Sequence, residues 1–145
     1  MGKKQVLIAD DDTDVLEVIK AILEHEGYQV FTARDGEQAF KMLRKRAFDA
    51  VILDVIMPKV TGVKLLQLMR KSSRMKEVPV MLLTGNLLES RRLEENGSTR
   101  HANDFMTKPF NTRDLIKRVK ALINGAPGKS QKPSSSPQPK SKQKP

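Results

Sequence analysis

Cysteine is absent from the 145-residue chain, and histidine occurs only twice, as His25 and His101. Without thiols there is neither a disulfide framework nor a zinc-thiolate site, and two histidines so far apart make no histidine metal cluster. Any metal site has to be built from oxygen. Long apolar runs are missing too. None approaches the roughly 20 residues needed to span a bilayer, and the N-terminal MGKKQVLIADDD turns acidic before a signal-peptide core develops. A cytoplasmic protein that does not insert into membranes is expected. With no internal repeat, a solenoid is not indicated.

Acid is what the C-terminus lacks. Residues 125–145, GAPGKSQKPSSSPQPKSKQKP, hold five lysines and no Asp or Glu, so half of the chain's +10 net charge is placed there. This stretch is rich in Pro, Ser and Gln and has Ala126 as its one apolar residue. It cannot bury enough surface to offset its ordering entropy, so a disordered basic tail is expected after a folded domain of residues 1–124. It also lacks an aromatic residue to stack on a base and an apolar one to enter a membrane.

Residues 5–124 alternate short apolar runs with amphipathic segments, the pattern of repeated strand-helix units around a parallel sheet. The runs are QVLIA, YQVFTA, DAVILD, VPVMLLT and NDFMT. Between them, Val15, Ile19, Ile22 and Leu23 form one helical stripe and Ala39, Phe40 and Leu43 a second. A third comes from Val63, Leu66 and Met69 or from Leu65 and Leu68. Leu115, Ile116, Val119, Leu122 and Ile123 form the last, with Asn111 as N-cap and Gly125 as the stop. The fourth segment, NLLESRRLEENGSTRHAND, is apolar-poor and is expected to be the most mobile. Met57, Met69, Met81 and Met106 read as core, and both histidines as surface residues. The basic groups Lys41, Arg44, Lys45, Arg46 and Arg113, Lys117, Arg118, Lys120 read as solvated helix faces.

In an open parallel sheet, ligands bind outside the carboxyl ends of the strands where strand order reverses. Four of the five runs end on groups suited to such a site: Asp10 and Asp11, Asp54, Thr84, and the position just before Lys108. Crowding Asp10, Asp11, Asp12 and Asp14 is unfavourable unless a cation or donors offset the repulsion. Asp12 and Asp14 suit a helix start. Asp10 and Asp11, with Asp54, suit a hard divalent cation, and Mg²⁺ accepts one or two carboxylates and bridges to phosphate. A nearby lysine and threonine are what a phosphoryl group needs, and one carboxylate could be its acceptor.

The acidic pair in LIADDD, with LDVIMPKVTG from 53 to 62, LLTG from 82 to 85 and FMTKPF from 105 to 110, resembles the receiver domains of two-component response regulators, of the chemotaxis-regulator-like kind. The resemblance implies a doubly wound (βα)5 flavodoxin-like fold, with strand order 2-1-3-4-5 and helices on both faces. It aligns Asp54 with the phosphoacceptor, Asp10 and Asp11 with the acidic pair, Thr84 with the switch hydroxyl and Lys108 with the family's lysine. It implies Mg²⁺ held by Asp11, Asp54 and the backbone carbonyl of Ile56, with Asp10 acting through water, and a cis bond before Pro109. Phe105 takes the aromatic switch position without the hydroxyl of the common Tyr. Ile56 implies a longer-lived phosphoryl group, and HAND replaces a common Gly-Ala pair before the fifth strand.

The implied function is a phosphorylation-activated switch. A histidine kinase or phosphotransfer protein donates to Asp54, and the face made by the fourth helix, fifth strand and fifth helix engages a downstream protein. Such a domain is no metabolic enzyme, catalysing only its own phosphorylation and dephosphorylation, and is a monomer or a phosphorylation-dependent dimer. Two alternatives belong to other classes. An aspartate-based phosphohydrolase of the haloacid dehalogenase type would need Thr or Val where Asp14 stands. A nucleic-acid-binding adaptor would work through the basic tail.

Overall fold

The structure is a computed structural model that describes residues 2–97 and 99–125. Five strands and five helices alternate along the chain: β1 (Gln5–Ala9), α1 (Thr13–His25), β2 (Gln29–Ala33), α2 (Gly36–Lys45), β3 (Ala50–Asp54), α3 (Gly62–Arg70), β4 (Val80–Thr84), α4 (Leu87–Glu95), β5 (Asp104–Thr107) and α5 (Thr112–Asn124). All neighbouring strands pair in parallel, in the order β2-β1-β3-β4-β5. The expected disordered tail lies outside the described residues apart from Gly125, which caps α5 at φ 64°.

The sheet forms because its central strands are apolar on both faces. Strand side chains alternate, and the alternation sorts β1, β3 and β4 between two cores. Leu7, Ala9, Val51, Leu53, Val80 and Leu82 meet α2 and α3 on one face. Val6, Ile8, Ala50, Ile52, Met81 and Leu83 meet α1 and α5 on the other. The stripe of α1 is rotated by about one position from the expected one: Leu16, Ile19 and Leu23 are deepest, and Val15 and Ile22 flank them.

Each helix starts at a side chain that accepts an otherwise orphaned backbone N–H: Asp12, Asp35, Thr61, Asn86 and Asn111. α4 is the thin helix its composition implies. Leu87 and Leu88 are 71% and 80% exposed, and only Ser90 is buried.

Arg70, the last residue of α3, fastens the amino end of the sheet. Its guanidinium donates to the carbonyls of His101 (2.9 Å), Lys76 (3.1 Å) and Val78 (2.8 Å) and to Asn103 Oδ1 (2.9 Å). Asn103 Oδ1 also accepts Val80 N–H at 2.9 Å. The unusual HAND stretch thus supplies two acceptors that align the starts of β4 and β5.

Candidate functional site

Strand order reverses between β1 and β3, so their carboxyl ends open a crevice. Asp10 follows β1, its backbone N–H bonded to the Ala33 carbonyl (3.1 Å), and its carboxylate is fully buried. Oδ1 accepts Asp12 N–H at 2.9 Å. Oδ2 lies 2.8 Å from Lys108 Nζ as an ion pair, but no donor is aligned with it as a hydrogen bond. Asp11 is exposed beside it. Asp54 ends β3 and is buried; Oδ1 accepts Ile56 N–H at 3.4 Å, and Oδ2 lies 3.6 Å from Lys108 Nζ.

Two buried carboxylates therefore face one lysine, with the Asp11 carboxylate beside them. Burial, and then the charge of Asp10, push the Asp54 carboxyl up to about 7 against the opposing pull of Lys108. Burial alone would lower the Lys108 pKa, but the Asp10 carboxylate paired with it and the charge of Asp54 hold it above the usual lysine range.

The donor set fits a hard cation. One oxygen from each of Asp10, Asp11 and Asp54 lies within 4.8 Å of the others, all donors are oxygen, and the buried Asp10 Oδ2 lacks an aligned donor. Asp12 points away from this cluster, capping α1 through Asp14 N–H (3.0 Å) and Val15 N–H (3.4 Å). The acidic run is split between site and cap.

Thr84 closes the next strand. Its buried hydroxyl accepts Asn86 N–H at 3.2 Å, and its carbonyl accepts Lys108 N–H at 2.7 Å. The Lys108–Pro109 bond is cis. Phe105 pairs with Leu82, while Thr84 pairs with Thr107, so Thr84 and Phe105 are diagonal neighbours on β4 and β5. Phe105 is half-buried against the core on the α2 and α3 face. Ile56 is 53% exposed at the rim. Asp10, Asp11, Asp54 and Lys108 are brought into direct proximity; Thr84 adjoins them, and Phe105 lies behind Thr84.

Two glycines in this region are packed against backbone. A Cβ at Gly62 would stand 2.0 Å from the Asp54 carbonyl oxygen, and one at Gly36 would stand 1.9 Å from that of Val60. Gly62 N–H also donates to Val55 O at 2.9 Å. The loop after β3 is thus held by backbone packed on backbone, a constraint that hydropathy patterning does not register.

A doubly wound parallel sheet with three carboxylates, a lysine and a threonine at its switch point defines an α/β protein built to handle a phosphoryl group. Residues 6–120 match the family model of the response regulator receiver domain. The chain belongs to this family, the switch domain of two-component signalling. It is 37% identical over 119 residues to the transcriptional regulatory protein CpxR of Escherichia coli, covering 82% of this chain and 49% of that protein. It is 35% identical over 120 residues to the alkaline phosphatase synthesis transcriptional regulatory protein PhoP of Bacillus subtilis, covering 83% and 48%. The chain spans about half the length of these curated relatives. Among solved structures, the chemotaxis response regulator CheY4 of Vibrio cholerae is similar, with TM-score 0.74, 31% identity, and 83% and 98% of the two chains covered. The response regulator TrrA of Thermotoga maritima, in complex with Mg²⁺-BeF, matches with TM-score 0.74, 33% identity, and coverage of 82% and 98%.

Proposed function

We propose that Asp54 accepts a phosphoryl group from a phosphohistidine of a histidine kinase or phosphotransfer protein. The reading rests on one observation: three carboxylates and Lys108 converge at the sheet's switch point, with Asp54 at the end of β3. Asp11, Asp54 and the Ile56 backbone carbonyl would hold Mg²⁺, with Asp10 acting through water. When bound, Mg²⁺ neutralises carboxylate charge and that of the phosphoryl oxygens.

The chain's own groups divide the remaining work. An Asp54 oxygen attacks phosphorus, the P–N bond to the donor imidazole breaks with its electron pair on nitrogen, and an acyl phosphate forms. Only the ionised carboxylate is a nucleophile, so offsetting the rise in the Asp54 pKa is part of activation. Lys108, 2.8 Å from Asp10 and 3.6 Å from Asp54, needs a small displacement to reach a phosphoryl oxygen. The Thr84 hydroxyl can exchange Asn86 N–H for the phosphoryl group, letting Phe105 repack on the same face. Phosphate shifts this equilibrium only by binding one arrangement more tightly. The face formed by α4, β5 and α5 would then engage a downstream protein. The domain, residues 1–124, would catalyse only its own phosphorylation and dephosphorylation, in the cytoplasm.

Intact mass after incubation with acetyl phosphate and Mg²⁺ tests this reading. The protein should gain one phosphoryl group, and chelator or Asp54→Asn should abolish the gain. Equal gain by Asp54→Asn, or none by the wild type, would overturn it.

A further inference from the structure

Basic residues that are scattered in sequence meet at the edge of the sheet opposite the acidic crevice. Helices of this fold run back to the amino ends of the strands, so the end of α2, the turn after α3 and the segment leading into β1 share one edge. Arg44, Lys45, Arg46, Lys71, Arg74 and Lys76 are all exposed there. Lys3 and Lys4 precede β1, and the Lys4 carbonyl accepts Gln29 N–H at 2.9 Å, which fixes them to the same edge.

The three segments are tied to one another. Arg74 Nη1 donates to the Arg44 carbonyl, joining the turn after α3 to the end of α2. Arg46 Nη1 donates to Gln5 Oε1 at 3.5 Å, joining α2 to β1. The Arg46 guanidinium lies 4.3 Å over the Phe31 ring, and that of Arg44 lies 5.8 Å over Phe40. Each of these partners is neutral, so the contacts position the cations without offsetting their charge. None of these basic residues forms an ion pair among the described residues. The eight basic residues outnumber the two nearby acids, Asp49, which accepts Gln5 N–H at 2.7 Å, and Glu77, whose charge acts on Arg70.

We propose that this edge is a docking surface for the phosphate backbone of a nucleic acid. Held like charges repel, and a polyanion laid along this edge would neutralise them. Arginine forks suit phosphate oxygens. Large exposed apolar side chains, which would anchor a membrane surface, are elsewhere: Val18 on α1, and Ile56, Leu87 and Leu88 at the opposite edge. The surface is remote from Asp54, so docking is independent of phosphorylation and keeps the switch near its target.

Fluorescence anisotropy of a labelled random-sequence DNA duplex, titrated with the full chain across a salt series, tests the proposal. The first variant combines Lys45→Gln, Lys71→Gln and Lys76→Gln, whose side chains form no ion pair among the described residues; a second combines Arg44→Gln and Arg74→Gln. A control combines Arg113→Gln and Lys117→Gln on α5. The edge variants should lose about tenfold or more in affinity at moderate salt, and the first should lower the salt slope by about 2 to 3. The control should bind as wild type does, and phosphoryl uptake from acetyl phosphate should be unchanged in all. Unchanged affinity and slope in both edge variants, or a complete loss on changing only the five tail lysines to glutamine, would overturn the proposal. So would tighter binding of the wild type to phosphatidylserine vesicles or polyglutamate than to duplex at equal salt.

Discussion

Asp54 ionises against burial and against the charge of Asp10, with Lys108 only partly offsetting them. Its pKa rises to about 7, from burial first and Asp10 second, so the folded state binds its proton more tightly than the unfolded chain does. Stability from this group is therefore present at low pH and is lost as pH rises from about 4 through about 7, by at most about 4 kcal/mol. Urea melts in chelator should show the contribution of this group falling between about pH 4 and about pH 7. Asp54→Asn should flatten that fall, and saturating Mg²⁺ should oppose it. A wild-type curve that rises across this window would contradict the assignment. Gly62 is the second residue to probe. Its Cβ would meet the Asp54 carbonyl at 2.0 Å, backbone against backbone, so Gly62→Ala should cost about 1–3 kcal/mol and slow phosphoryl uptake. At Gly85 the nearest contact is Lys108 Cδ at 3.6 Å, so Gly85→Ala should keep its stability. Comparing the two variants in urea and by intact mass separates backbone crowding from a general intolerance of substitution.

At the scale of elements, the strands were legible because each is a short apolar run that ends on a turn or a polar site residue. The ends of β1, β3 and β4 fall where those polar residues begin. Helix caps were partly legible: Asn111 and Gly125 cap α5 as the spacing implied. The α1 stripe was less so, because Val15, Leu16, Ile19, Ile22 and Leu23 make a band wide enough to bury in either of two rotations. Arg70 was not legible at all. An arginine at a helix end reads as a solvated charge, and only the fold brings the carbonyls of Lys76, Val78 and His101 and the Asn103 side chain to it. Replacing Arg70 with Ala should cost about 1–3 kcal/mol in urea unfolding, since four acceptors, two of them part-buried, lose a charged donor. Arg70→Lys should recover only part of this, because an ammonium cannot reach four acceptors in one plane. Full recovery by lysine would show that charge alone is needed.

Across the whole molecule, the sheet separates two charged edges: carboxylates at the carboxyl ends of the strands, and, at the amino ends, arginines and lysines that form no ion pair among the described residues. The acidic edge was legible as strand-end chemistry. The basic edge was not, because Lys3, Arg44 and Arg74 are far apart in sequence and each alone reads as a solvated surface charge. α4 and β5 join the site to the proposed partner face through Thr84 and Phe105, while α1 and β2 lie outside that route. Phosphorylation should therefore change amide hydrogen exchange in α4 and β5 and leave β2 unchanged. Thr84→Val should keep phosphoryl uptake but suppress the change in α4, because its side chain no longer offers the hydroxyl that holds Asn86 N–H. A response spread evenly over the sheet would show that this hydroxyl is not the link.

The most direct test of the central claim is to find where the phosphoryl group resides. Protein treated with acetyl phosphate and Mg²⁺ is reduced with borohydride, which converts an acyl phosphate to the alcohol, and its peptides are read by mass spectrometry. Modification at Asp54 alone is the predicted result. Modification at Asp10 or Asp11, or at a residue outside the crevice while Asp54 stays intact, would contradict it.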